Sequence, residues 1–301
     1  MRPVGTVVLK QGKERKVRNN YPWIQRGEVL RTSGDIRDGG LARLESSEGE
    51  FLAIGTWNGK CRFRFRVLTK CDEQIDEHFF ASRFATAINQ RKPLVKETDA
   101  KRIVYSEADL LPGLIIDDYA GHLVVQVRSF GMETLKPIWL PALIEAACPK
   151  SVYERSDMAG REEEGLGPQV GELHGTTPEE TEIEESGLKF IVPLKGGLKT
   201  GFYLDQRNTR RILAAKIQSG QRVLDVWFDS GATSRCVLEG NVEPLSNHTS
   251  NTSTSLRNSV SPVTGCLNPL GKISAGGGRA PPLLDLTCRC AHRRSWGMLL
   301  R

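Results

Sequence analysis

The sequence predicts a multidomain protein of mixed α+β and α/β class. It would comprise a small β-barrel, a central α+β domain, the start of a doubly wound domain and a disordered tail. Three observations predict this. Residues 1–70 read as short apolar strands broken by turn residues, residues 73–227 mix helical and strand periods, and periodicity fails beyond residue 240. The implied boundaries are 1–72, 73–186, 187–239 and 240–301, a chain length that suits about two or three domains.

In the first segment, Gly5 to Lys10 reads as a strand, followed by Val29–Arg31 and Leu41–Leu44 around a turn region holding Asp35, Asp38, Gly39 and Gly40. Phe51–Gly55 then runs toward Asn58-Gly59, a dipeptide favoured in two-residue hairpins. The return strand, Cys61–Val67, alternates strictly. Cys61, Phe63, Phe65 and Val67 face one side, and Arg62, Arg64 and Arg66 the other, giving an arginine-lined face.

In the second segment, Ile75, Phe79, Phe80, Phe84, Ala87 and Ile88 recur at helical spacing and predict an amphipathic helix over 73–90. Leu114–Tyr119 and Leu123–Val127, split by Ala120-Gly121, predict a hairpin, and Leu135–Ala147 a second helix. The Glu- and Gly-rich stretch 158–186 reads as a mobile surface loop that would repel phosphates. Further on, Leu188–Leu194 reads as a strand, Arg207–Ile217 as a helix and Arg222–Trp227 as an apolar strand carrying an acid near its end. From Ser246 to Ser261, 12 of 16 residues are Ser, Thr or Asn, a composition that cannot bury enough apolar surface to offset its ordering entropy. Disorder is therefore expected across most of 240–301.

Charge is segregated. Residues 1–70 carry +8, residues 71–227 carry −6 and residues 228–301 carry +4, within a total of +6. The basic end points to a polyanionic partner. No apolar run reaches the roughly 18 residues of a membrane span, and the first 20 residues lack the apolar core of a signal peptide. A cytoplasmic location without membrane contact is expected, with the seven cysteines reduced and the sequons at Asn247 and Asn251 fortuitous.

Four sets of residues could carry chemistry. Lys10, Lys13, Arg15, Lys16, Arg18 and Arg26 surround Tyr21 and Trp23, and with Arg62, Arg64 and Arg66 they could hold RNA phosphates while the rings stack on bases. The same set also fits an ordinary solvated face with Trp23 in the core. Lys195 to Arg207 combines glycines with polar side chains and could approach a ligand or simply form a tight turn before a helix; its spacing is not that of a P-loop. Val223–Trp227 followed by a loop containing Gly231 could open onto a cofactor or be a plain core strand. Cys288-Arg289-Cys290, with Cys266 and Cys236, lacks the second matched pair that zinc requires, so no metal site is expected.

Three blocks together resemble the PUA-domain class I S-adenosylmethionine-dependent RNA methyltransferases, most closely the type that makes 5-methylcytosine in large-subunit ribosomal RNA. They are Tyr21-Pro22-Trp23-Ile24, then Glu107 to Asp117 with Tyr153 to Asp157, and Leu198 to Arg207. The resemblance covers roughly residues 3–235 and implies a PUA-like barrel, an incomplete Rossmann-like methyltransferase domain and ribosomal RNA as partner. It implies that Lys199, Thr200, Gly201, Phe202, Asp205 and Arg207 help form the cofactor and substrate pocket, with Asp225 and Gly231 on the first strand and loop of the S-adenosylmethionine site. Leu198 stands where the family usually has Gln or His. The family's Asp-Pro-Pro block is also missing: Ala280-Pro281-Pro282 lacks the acid. No cysteine of the tail has the context of the thiolate that attacks cytosine C6. Impaired activity and a frameshift or gene decay near residues 228–240 are therefore expected. The alternative reading is a non-catalytic RNA-binding module.

Overall fold

The structure, a computed structural model, describes residues 1–94, 97–197, 199–217, 223–224, 232, 284–288 and 296–300. It divides into two compact units, Met1–Arg207 and Asn208–Arg301.

The first unit opens with a six-stranded sheet. Its elements are β1 (Gly5–Leu9), α1 (Glu14–Arg18), β2 (Trp23–Gln25), β3 (Val29–Gly34), β4 (Leu41–Glu45), β5 (Phe51–Trp57) and β6 (Phe63–Thr69), with strand order β2-β6-β5-β4-β1-β3. Only β1 and β4 pair in parallel. The two edge strands, β2 and β3, are joined through a 3-10 turn at Arg26–Glu28. Val7, Leu9, Val17, Ile24, Ala42, Leu44, Ala53 and Phe65 fill the interior of this sheet as one apolar cluster. Pairs two apart on a strand, Val7 with Leu9 and Ala42 with Leu44, share a face, helix α1 adds Val17, and burial of that surface stabilises the sheet.

The hairpin between β5 and β6 is not the two-residue turn that Asn58-Gly59 suggests. Trp57 pairs with Phe65, so seven residues lie between the paired positions. Neither Asn58 nor Gly59 has the positive φ that such a turn needs. The Asn58 side chain is drawn inward instead, donating to the Glu164 carbonyl at 2.9 Å.

The central part contains α2 (Glu77–Arg91), β7 (Ala100–Tyr105), β8 (Leu114–Tyr119), β9 (His122–Val127), α3 (Phe130–Thr134), α4 (Lys136–Ala147), β10 (Ser151–Ser156) and β11 (Gln169–Gly175). Its sheet order is β11-β10-β9-β8-β7, with β9 and β10 parallel across the α3–α4 crossover. Helix α2 starts at Glu77 rather than residue 73 because Asp76 caps it, accepting from the Phe79 amide at 3.0 Å. The β8–β9 turn is the tight one: Ala120 and Gly121 both have positive φ, 53° and 91°. Phe80, Phe84, Trp139, Leu143, Ile116 and Val125 form a second core, which also takes in Leu41, Ile54 and Leu68 from the six-stranded sheet. The six-stranded sheet and the central layer therefore share apolar surface rather than meeting through a linker.

Residues 158–186 are not a free loop. They hold a 3-10 turn at Glu162–Glu164, strand β11 and strand β12 (Glu180–Glu185), and both Arg161 and Glu164 are buried. Strand β12 pairs with β13 (Leu188–Pro193). Helix α5 (Arg207–Lys216) follows. In the second unit, β14 (Val223–Leu224), β15 (Leu284–Cys288) and β16 (Trp296–Leu300) form an antiparallel sheet in the order β14-β16-β15. The disorder expected over 240–301 falls mostly outside the described residues, but two segments of it are strands. The rest of the strand expected at Arg222–Trp227 lies outside them as well.

Candidate functional site

Two of the basic N-terminal residues, Lys16 and Lys13, act on one buried carboxylate, Glu28. Helix α1 buries Val17 and turns Arg15, Lys16 and Arg18 outward. Lys16 Nζ lies 2.6 Å from Glu28 Oε1. The amide of Lys10 donates to the Glu28 carbonyl at 2.9 Å, and that of Lys13 to the Lys10 carbonyl at 3.1 Å. Arg26, in the same turn as Glu28, donates its amide to Arg62 O at 3.0 Å. Burial alone would raise the Glu28 carboxyl, but the Lys16 hydrogen bond, the Gln25 amide and the Lys16 and Lys13 charges outweigh it and hold the group below its ordinary value. Arg18 is spent on Glu50.

The arginine face of β6 does not survive as expected. Arg62 is exposed and lies over the Phe63 ring at 5.6 Å. Arg64 is half-buried over Trp57, also at 5.6 Å. Arg66 is turned inward, bonded to Glu164 and 3.6 Å from Glu107. Alternation along a strand fixes only which side a residue faces. Here the outer side of β6 meets the central layer, and carboxylates there claim the guanidinium. Trp23 belongs to the same junction: its indole N–H donates to Glu107 Oε1 at 2.8 Å, with Phe63 5.2 Å away and Tyr21 edge-on at 5.8 Å.

Glu164, unremarked in a run of three glutamates, is the hub. It accepts from Arg66, from Asn58 Nδ2 at 3.1 Å and from the Phe130 amide at 3.2 Å. Burial would raise its carboxyl, yet the Arg66 charge and these hydrogen bonds hold it below the ordinary value. Next to it the Cys61 thiol donates to the Glu163 carbonyl at 2.9 Å and is pushed up to about 12, mainly by burial and then by Glu164. Nothing in the local sequence marks Glu164 among its neighbours.

The block 199–207 is pinned to the central sheet. Thr200 is buried and donates to Asp117 Oδ2 at 2.5 Å, with Tyr119 OH 2.8 Å from the same hydroxyl. Asp117 is held from its other side by Arg102 at 2.7 and 2.9 Å. Gly201 needs to be glycine: its φ is 133°, and a Cβ there would lie 2.6 Å from the Pro193 carbonyl. Phe202 is buried against Phe190, 5.4 Å away. Arg207 donates to the Ala100 carbonyl at 2.7 Å and lies 3.4 Å from Glu185. Lys199 and Asp205 point outward, 3.4 Å apart, with Lys199 over the Tyr203 ring at 4.1 Å. An acid inside the apolar run Leu114-Ile115-Ile116-Asp117 was the available signal for a buried polar pair here.

Leu198, Asp225 and Gly231 lie outside the described residues, so the remainder of the expected cofactor site does too. Two concavities are present elsewhere. One, of about 630 Å³, is lined by Glu97, Asp99 and Glu184. The other, of about 320 Å³, runs along α2 past His78 and Arg83. Among the described residues no group of three or more His, Cys, Asp or Glu side chains could hold a metal ion, and no helix is long and apolar enough to cross a membrane.

Residues 7–70 match the PUA-like domain family. The fold of the chain is shared with a proposed S-adenosylmethionine-dependent methyltransferase from Streptococcus mutans, at a TM-score of 0.66 and 20% identity, over 78% of this chain and 61% of that one. A proposed methyltransferase solved in complex with SAH gives the same TM-score, 0.66, over 80% of this chain and 60% of its own. The class is thus a PUA-like domain joined to a methyltransferase-like α/β fold. Closer in sequence is ribosomal RNA large subunit methyltransferase I of Aeromonas salmonicida (strain A449), 38% identical over 245 residues, which are 80% of this chain and 62% of the relative. Its namesake in Tolumonas auensis is 38% identical over 247 residues with the same coverage. The chain is similar to these methyltransferases over 80% of its own length, and it spans 62% of the length of the curated relatives it matches.

Proposed function

We propose that this chain binds ribosomal RNA through the cationic edge of its PUA-like domain and acts in S-adenosylmethionine-dependent methylation of that RNA. The supporting observation is the exposed basic set Lys10, Lys13, Arg15, Lys16 and Arg26, of which Lys16 pairs with the buried Glu28, in a chain 38% identical over 245 residues to a ribosomal RNA methyltransferase. Cytosine C5 as the target atom and the cytoplasm as the place of action follow from the same resemblance. Reduced activity is part of the proposal, because the Asp-Pro-Pro block and a cysteine in its expected context are missing from the tail.

The fit to the cofactor is partial. Thr200, Phe202 and Arg207 are committed to the central sheet, and the outward side chains of the block are Lys199 and Asp205. These described residues do not form an S-adenosylmethionine cradle by themselves. Lys199, Asp205, Asp225 and Gly231 are the proposed cofactor contacts, with Thr200, Gly201, Phe202 and Arg207 shaping the block that carries them. The second reading, a non-catalytic RNA-binding module, is favoured by that inward commitment.

Calorimetry of the full chain with S-adenosylmethionine separates the two. Micromolar binding supports the methyltransferase reading, and no heat with retained RNA affinity supports the module. RNA affinity should fall steeply with added salt in either case. Affinity that is indifferent to salt would sink the cationic interface.

A further inference from the structure

We propose that the groove along α2 is an anion site that takes a phosphate group, with Arg83 as its cation. The site lies in the central part of the fold and is independent of the RNA-binding reading above.

Helix α2 buries Phe79, Phe80, Phe84 and Ala87 on one side. His78, Ser82, Thr86 and Gln90 follow one another at four-residue steps and are all exposed, so they form a single polar row. That row lines a groove of about 320 Å³ together with the turn at residues 108–110. The Thr86 hydroxyl is spent on the helix itself, donating to the Ser82 carbonyl at 2.8 Å. The side chains of His78, Ser82 and Gln90 make no hydrogen bond among the described residues, so their donors remain open to a ligand.

Arg83 lines the same groove, half-buried, with its guanidinium 4.9 Å from the centre of the Phe79 ring. Its hydrogen bond to the Leu68 carbonyl is long, 3.5 Å, and it makes no ion pair among the described residues. The other buried or half-buried arginines of the central part are satisfied. Arg91 forks onto Asp109 at 2.8 and 2.7 Å, and Arg102 onto Asp117 at 2.7 and 2.9 Å. Arg155 donates to the Gly197 carbonyl at 2.8 Å, and Arg161 to the Gly167 carbonyl at 2.9 Å. The carboxylates that line the groove are engaged elsewhere. Asp109 accepts from Arg91 and from the Tyr105 amide, and Glu73 accepts from the Thr69 hydroxyl at 2.5 Å. Taking a guanidinium out of water is costly unless its N–H groups find acceptors. Burial accordingly pulls Arg83 below the ordinary arginine value, and the charges of Glu73 and Cys71 oppose this only in part. A bound oxyanion supplies the missing acceptors, and the planar fork matches two phosphate oxygens at once. The Ser82 hydroxyl and the His78 ring, about one helical turn apart, meet the remaining oxygens, which a carboxylate would not present.

The test is titration of the full chain with inorganic phosphate, followed by phosphorus NMR line broadening, with succinate as competitor at constant ionic strength. Phosphate should bind, and succinate should displace it only at about tenfold higher concentration. Arg83→Gln should weaken phosphate by about tenfold. Because Arg83 also packs on Phe79, the exposed Ser82→Ala is the second variant, and it should weaken phosphate by about fivefold with an unchanged melting temperature. Absence of phosphate binding, undiminished binding in either variant, or displacement by equimolar succinate overturns the site. Fluorescence anisotropy with a single-stranded RNA then names the source of the phosphate. Lower RNA affinity in Arg83→Gln assigns the groove to a backbone phosphate, and unchanged affinity assigns it to a small free phosphate compound. A chain that binds no RNA at all sinks the RNA-binding reading alone and leaves the groove to the free compound.

Discussion

Glu164 carries more of this molecule than its position in the sequence suggests. It is a buried carboxylate with one cationic partner, Arg66, and two further donors from different segments. Removing it leaves Arg66 without its closest counter-charge, so Glu164→Ala should cost about 3–5 kcal/mol, read as a shift of the urea midpoint. The sign of its pH dependence follows from a folded carboxyl value below the ordinary 4.5. Its contribution is fully present above that ordinary value and is lost as pH falls through the folded value. Glu164→Gln should therefore flatten part of the acid limb of the stability profile, and an unchanged limb would contradict the assignment. The neighbouring thiol tests the same environment. Cys61 is buried and raised to about 12, whereas Cys71 and Cys148 are exposed. At pH 8 iodoacetamide should label Cys71 and Cys148 and spare Cys61 in the folded chain, as peptide mapping by mass spectrometry would reveal.

Between elements, the decisive contact is the seating of α3 on β5. Gly131 sits in the first turn of α3, and a Cβ there would lie 2.3 Å from Thr56 Cβ. Alanine is the better helix former, so propensity does not explain this glycine. Close approach to the barrel strand does. Gly131→Ala should destabilise the chain by about 1–3 kcal/mol through overpacking, measured by thermal or urea unfolding. A neutral result would mean that α3 can shift without loss. The same contact explains why Asn58 behaves unlike a hairpin residue. Strand β5 faces the central layer, and the segment after it is drawn toward Glu164 rather than into a solvent turn.

For the molecule as a whole, the barrel strands and central layer share a core that includes Leu41, Ile54 and Leu68 with Phe80 and Trp139. Together with Asp117, Tyr119 and Thr200 this closes a unit ending at Arg207. A fragment of residues 1–207 should fold cooperatively and keep the salt-dependent RNA affinity of the full chain. Separate unfolding transitions for 1–72 and 73–207 would contradict the shared core. Much of this was legible. Short apolar runs between turn residues found β1, β4 and β5, and helical spacing found α2, because one buried face dictates that period. The basic cluster around α1 was legible as charge alone. The region 158–186 was misread because its acids looked like solvated charge, and neither the Arg66 pairing nor the edge-strand position of β11 leaves a local signature.

The sequence by itself determined the strand and helix periods, the basic end of the chain and the resemblance carried by Tyr21–Ile24, Glu107–Asp117 with Tyr153–Asp157, and Leu198–Arg207, since each is a property of neighbouring residues. Tertiary structure alone decided which of those charges are free. Arg66 is neutralised by a carboxylate 98 residues away, and Thr200 bonds an aspartate 83 residues away. A charge pattern gives the number of cations, but only packing brings a counter-charge within hydrogen-bond reach. Lys10, Lys13, Arg15 and Arg26, exposed and outside any ion pair among the described residues, are what remains after those pairings are made.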